Sequence, residues 1–135
     1  MKKVNMTWTV NIRSSVPVYK QIENLVLFAM AAGKAKPKDQ LPSVREMSQS
    51  LKVNPNTVAK AYRDLEVMGY LYTRRGIGVY IAEGGPVKAK KQMAEYVKTR
   101  LGEIAREAGA CGLAVDPLLK TFRDNMKTKG KPIYV

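Results

Sequence analysis

The side chains able to do chemistry in this chain are cations and amides, not nucleophiles. There is no histidine, and Cys111 is the single cysteine. A Ser-His-Asp or Cys-His arrangement is therefore excluded, an intrachain disulfide is impossible, and zinc held by His and Cys is not expected. No G-x-x-x-x-G-K-[ST] phosphate loop occurs, and Arg75-Gly76-Ile77-Gly78 is too short for a dinucleotide loop. Glu103 and Glu107 stand one helical turn apart, a spacing that a solvated face explains better than acid–base work. The expectation is a protein that is not an enzyme and needs no cofactor or metal. What remains is a formal net charge of +13, from 24 Lys+Arg against 11 Asp+Glu. A balance that basic suits a polyanionic partner. It is spread along the chain: thirteen basic against six acidic residues to Gly85, eleven against five beyond it.

The polar side chains with a consistent spacing lie between Leu41 and Ile81. Pro55 suits a first helical position, since its missing N–H would be unpaired there anyway, and Asn54 is then the N-cap. Val58, Ala61, Leu65 and Met68 recur at helical spacing as a buried stripe. At about 100° per residue, Asn56, Lys60 and Arg63 fall on the opposite face, where amide and basic groups can donate to base edges and phosphates. Thr57 sits near the first turn, where a hydroxyl and free backbone N–H groups can meet a phosphate. Before this helix, Ser43-Val44-Arg45-Glu46 spells a capping box with Val44, Met47 and Leu51 as its core stripe. It leaves Arg45 outward in the first turn. After it, Gly69 closes the helix, and Leu71–Thr73 and Val79–Ile81 read as a ribbon whose tip carries Arg74, Arg75 and Gly76. Each feature has a plainer account: a solvated helix face, or arginines that blunt a sheet edge. Together, two helices, a tight turn and a basic ribbon are how a small domain places one helix in a DNA major groove and a finger beside it.

These residues carry a resemblance. Leu41-Pro42-Ser43-x-Arg45-Glu46, then Val53-Asn54-Pro55-Asn56-Thr57-Val58-x-Lys60-Ala61-Tyr62-x-x-Leu65-Glu66-x-x-Gly69, then Arg75-Gly76-x-Gly78, resemble the winged-helix domain of the GntR family of bacterial transcription regulators. The Asn-Pro-Asn-Thr-Val turn and the short chain are similar to its YtrA-like subfamily. The likeness spans roughly residues 10–82, and beyond that only length and helical pattern. It implies double-stranded DNA as partner, with contacts from Arg45, from Asn54, Asn56 and Thr57, and from the wing. Repression and control of nearby transporter genes are further implications. Where many such regulators carry base-reading arginines, this chain has Pro55 and Ala59, which moves readout toward Asn56, Thr57 and Lys60.

The remaining elements must position that unit. Trp8, Val10 and Ile12 alternate with Thr7, Thr9 and Asn11 as a short half-buried strand or an extended arm, with Trp8 packed on the domain. Ser15-Val16-Pro17 opens a helix whose stripe is Val18, Ile22, Leu25, Ala29 and Ala32, with Phe28 beside it, and Gly33 ends it. Lys34–Lys38 is a basic loop. Gly84-Gly85-Pro86 is the domain boundary. Val87–Ala108 is helical, with Met93, Val97, Leu101, Ile104 and Ala108 in one stripe. Gly109–Gly112 breaks it, and Asp116-Pro117 caps and starts a second helix bearing Leu118, Leu119, Phe122 and Met126. The tail Lys127–Val135 reads as loose.

The expected fold class is mainly α with a small β-wing. Residues 1–85 form a winged helix-turn-helix with an N-terminal arm, and residues 86–135 a short helical segment that pairs two copies. Val97, Leu101, Ile104, Leu118 and Phe122 are the expected dimer contacts. A cytoplasmic location follows from the lone cysteine and the lack of a signal peptide or membrane-spanning run. The function expected is a sequence-specific, dimeric regulator on a palindromic operator, with an unknown small-molecule effector left open at a dimer interface. The rivals are a general nucleic-acid or architectural protein, and a winged helix used to bind proteins.

Overall fold

A computed structural model describes residues 2–4, 6–127 and 132–134. They form five helices and a two-stranded antiparallel sheet. Helix α1, Val18–Ala31, is buried on nearly every side, and it takes Gln21, Glu23 and Asn24 inside with Ile22, Leu25, Val26 and Met30. The simple apolar stripe therefore understates it: Val18 is half-buried and Ala32 exposed at the ends. The buried Gln21 amide is fully used. Its Oε1 accepts from the Asn11 N–H at 2.8 Å, and its Nε2 donates to the carbonyls of Asn11 at 2.8 Å and Val16 at 2.9 Å.

That capture of Asn11 explains why no strand forms over residues 7–12. The backbone groups a ladder would need are spent on Gln21 and on a turn, in which the Ser14 N–H donates to Asn11. Trp8 is buried as expected, but Ile12 is 76% exposed. The extended pairing lies upstream, where Lys3 bridges Gln40 and Gln40 in turn bridges Tyr80.

Helix α2, Val44–Leu51, starts with the full capping box, Ser43 and Glu46 each bonding the other's backbone N–H. Lys52 closes it in the left-handed region at φ 57°. Helix α3, Pro55–Val67, has Asn54 as N-cap and Pro55 in its first turn. It packs against both α1 and α2. Val58, Ala61 and Leu65 are buried as expected, but Met68 is the C-cap residue and 40% exposed. The stripe ends a turn early because Gly69, at φ 85°, turns the chain into the sheet. Tyr62 is buried instead, its hydroxyl donating to the Pro42 carbonyl at 2.7 Å.

Strands β1, Leu71–Arg74, and β2, Gly78–Ile81, pair Leu71 with Ile81 and Arg74 with Gly78. Each is one residue longer toward the tip than the sequence pattern suggests. Helix α4 runs unbroken over Gly85–Ala110. The glycine pair at 84–85 is thus no linker: Gly85 opens the helix, and a Cβ there would stand 3.0 Å from the Tyr70 carbonyl. Ala89 and Met93 are buried. The chain separates into two compact units inside α4, one reaching Met93 and the other starting at Ala94. The first unit also holds the described end of the tail, where Asn24 Nδ2 donates to the Tyr134 hydroxyl at 2.9 Å. Residues 128–131 and 135, on which part of the expected loose tail falls, lie outside the described residues.

The second unit holds the rest of α4 and helix α5, Val115–Met126. Ala114, not Asp116, is the N-cap, and Asp116 sits in the first turn. Between the two helices runs an apolar groove of about 630 Å³, lined by Leu101, Ile104, Leu118 and Phe122 among others.

Candidate nucleic-acid interface

The first compact unit carries the polar groups the sequence singles out, on three elements. Arg45 is exposed in the first turn of α2. At the start of α3, the Asn54 side-chain oxygen accepts from the Asn56 N–H at 2.8 Å. Asn54 is therefore first a cap, with only its amide N–H groups left to donate outward. Asn56 is exposed and Thr57 half-buried. Lys60 and Arg63 are exposed further along the helix. Lys60 is engaged within the subunit: its Nζ is 3.2 Å from Asp64 Oδ2 and 4.5 Å from the centre of the Tyr19 ring.

The wing is braced from both sides. Thr73 Oγ1 donates to Glu66 Oε2 at 2.7 Å, which ties β1 to α3. The rings of Tyr72 and Tyr80 stack across the sheet at 5.5 Å, and the Arg74 guanidinium lies 5.8 Å from the Tyr80 ring. Gln40 Nε2 donates to the Ile77 carbonyl at 3.4 Å, and a Cβ on Gly78 would collide with the Gln40 side chain. Arg75 and Gly76, at φ 76°, form the exposed tip, and the Ile77 N–H closes it on the Arg74 carbonyl at 2.9 Å. Cations thus stand at the first turn of α2, along α3 and on the wing, with the amides of Asn54 and Asn56 at the start of α3. That arrangement can donate to phosphates and to base edges.

Two features escape a reading of the sequence. Lys3 reaches Glu46 at 2.7 Å, and with the Ser43 N–H it pulls the Glu46 carboxyl down to about 2. Beneath α3, Glu23 of α1 meets Asp64. Burial raises the Glu23 carboxyl above its ordinary range, while the bond from Lys60 lowers Asp64. The Lys60–Asp64 spacing of four residues is legible in the sequence, but its partners on α1 are not. The expected dimer residues Val97, Leu101, Ile104, Leu118 and Phe122 all lie in the second unit and are 37% to 50% exposed. Among the described residues no group of three or more His, Cys, Asp or Glu could hold a metal ion.

Residues 18–81, from the start of α1 to the end of β2, match the family described as "Bacterial regulatory proteins, gntR family". The HTH-type transcriptional repressor YtrA of Bacillus subtilis (strain 168) is 37% identical over 112 residues, which are 83% of this chain and 86% of that protein. The chain belongs to the gntR family. It is a winged-helix, DNA-binding transcription regulator. A GntR family regulator from Listeria monocytogenes has a solved structure similar to this one, with a TM-score of 0.63 and 29% identity over 82% of this chain and 96% of that one. AraR(DBD), solved in complex with operator ORX1, is similar with a TM-score of 0.53 and 25% identity, over 58% of this chain and 99% of that one. The gntR match ends at β2, whereas the likeness to YtrA covers 83% of the chain and so reaches beyond the first unit.

Proposed function

We propose that this gntR protein is a repressor that binds a palindromic operator as a homodimer, each copy seating α3 in a major groove and its wing beside it. The observation that carries the reading is the placement of Arg45, Asn56, Thr57, Lys60, Arg63, Arg74 and Arg75 on one compact unit while the other leaves its apolar side chains uncovered. Asn56, Thr57 and Lys60 read bases, while Arg45, Asn54 and the wing hold phosphate. Repression is supported by the name of the B. subtilis relative, and operator binding by that of AraR(DBD). Val97, Leu101, Ile104, Leu118 and Phe122 pack between the copies, which assigns the groove to a partner's helices. Its polar lining favours this over a small polar effector: Thr121 already bonds the Pro117 carbonyl and Asn125 the Thr121 carbonyl. Action on an operator also places the protein in the cytoplasm.

The test is affinity for a palindrome selected from a randomised duplex pool and for random duplex, across a salt series. Affinity for both should fall steeply with salt, because each Lys or Arg on a phosphate releases counterions. The palindrome should win by about 10³-fold or more. Equal affinity for the two duplexes would make this a general nucleic-acid binder instead.

A further inference from the structure

Among the described residues, Lys60 is the cation of α3 that has both an ion pair and a ring contact inside its own subunit. The Asp64 pair alone could be an ordinary helix-surface contact. It has the less favourable orientation for that purpose, however, with the cation N-terminal to the anion. The pair also does not stand alone. Tyr19 of α1 offers its ring to the same ammonium. Glu23, also on α1 and with a side chain only 3% exposed, is near enough to the Asp64 carboxyl for each to shift the other. As an ionised carboxylate, Glu23 would leave Oε2 buried with no hydrogen-bond partner. Burial raises the Glu23 carboxyl above its ordinary range, and the neighbouring Asp64 pushes it the same way. The charged groups around the pair are Lys20 of α1, 3.5 Å from Glu23 Oε1, with Lys60 and Arg63 of α3.

We propose that Asp64 keeps Lys60 off the phosphates of random DNA and releases it only to a matching base, so that Asp64 is a specificity-determining positioning residue. This rests on the reading of α3 as the helix in the groove. On random duplex, a phosphate offers Lys60 little more than Asp64 and the Tyr19 ring already do. A guanine edge places two acceptors, O6 and N7, side by side at one fixed position, so a single ammonium can bond both. The internal tether thus raises the ratio of specific to random binding, the quantity that matters among many competing sites.

The experiment measures log affinity against log salt for the full-length protein on random duplex, and base preference on duplexes selected from a randomised pool. Asp64→Ala should bind random duplex more tightly, with a salt slope steeper by about 0.9, as one freed cation displaces one counterion. The same variant should lose about tenfold of preference at one base position. Adding Lys60→Ala to Asp64→Ala should return the slope to that of the wild type. Asp64→Asn repeats the test with the side-chain shape kept. An unchanged slope in both Asp64 variants overturns the proposal, as does a steep slope that survives removal of Lys60. If the wild type selects no preferred sequence at all, the operator reading falls and the gating role falls with it. A preference that Lys60→Ala weakens and Asp64→Ala leaves intact sinks the gating role alone.

Discussion

Among the side chains of α3, position on the exposed face separates groups that can read bases from groups that only hold the backbone. Asn56 is exposed at the helix start, and its amide can bond two atoms of an adenine edge, a pattern no phosphate offers. Lys60→Ala and Asn56→Ala should each relax sequence discrimination, at a cost of about 1–3 kcal/mol on the preferred duplex where a good base contact is lost. Arg45→Ala and Arg75→Ala should weaken all duplexes alike, since phosphate contacts position without reading. Competition binding against single-position variants of a selected duplex separates the two outcomes. Identical sequence profiles for Lys60→Ala and Arg75→Ala would undo this division of labour. Pro55 and Ala59 bring no donor of their own to that face, which leaves Asn56, Thr57 and Lys60 to carry the readout.

At the scale of elements, the local signals were the legible ones. Ser43 and Glu46 form the capping box their spacing announces, Asn54 and Pro55 start α3, and Gly69 turns the chain out of it. Ser43→Ala removes a bond to an otherwise unpaired helix N–H and should cost about 1 kcal/mol, read as a lowered melting temperature. Glu46→Gln should carry a cost of its own with a particular acid dependence. The Glu46 carboxyl is depressed from 4.5 to about 2 by Lys3 and by the Ser43 N–H, so its contribution is fully present above the unfolded value and lost as pH falls toward the folded one. The melting temperatures of wild type and Glu46→Gln should therefore differ at neutral pH and converge between pH 4.5 and about 2. A constant gap would mean that Glu46 acts by shape alone. What was not legible joins residues far apart in the chain. Gln21 takes the backbone of Asn11 and so cancels the strand its alternation suggests. Gly84-Gly85-Pro86 has the composition of a linker, but Tyr70 and Met30 close around Gly85, and Ala89 and Met93 extend the first core into α4. Composition cannot report a close backbone approach, because glycine serves both a flexible linker and a tight contact.

At the scale of the whole molecule, the question is what covers the second unit. Leu101, Ile104, Leu118 and Phe122 lie at 37% to 50% exposure on two helices that enclose little between them. A helix pair of this size holds no adequate core by itself, and a second copy across a twofold axis would bury both sets. The consequence for DNA is large. One recognition helix reads only a few base pairs, whereas a twofold dimer reads two half-sites about a helical turn apart. The cut at Gly85 that the sequence suggests would be a poor test, since it strips the buried Ala89 and Met93 from the first unit. Charge placed in the proposed interface of the full chain is cleaner. Ile104→Glu and Phe122→Glu are at half-exposed positions in the monomer, so a folded single chain can solvate the new carboxylates. A dimer that buried them would not form. Sedimentation equilibrium at micromolar concentration should therefore show a dimer for the wild type and a monomer for each variant, with the helical circular dichroism of the winged helix retained. Affinity for the palindrome should fall by at least tenfold while affinity for a single half-site stays the same. A monomeric wild type whose palindrome affinity equals that of Phe122→Glu would mean that one winged helix acts alone.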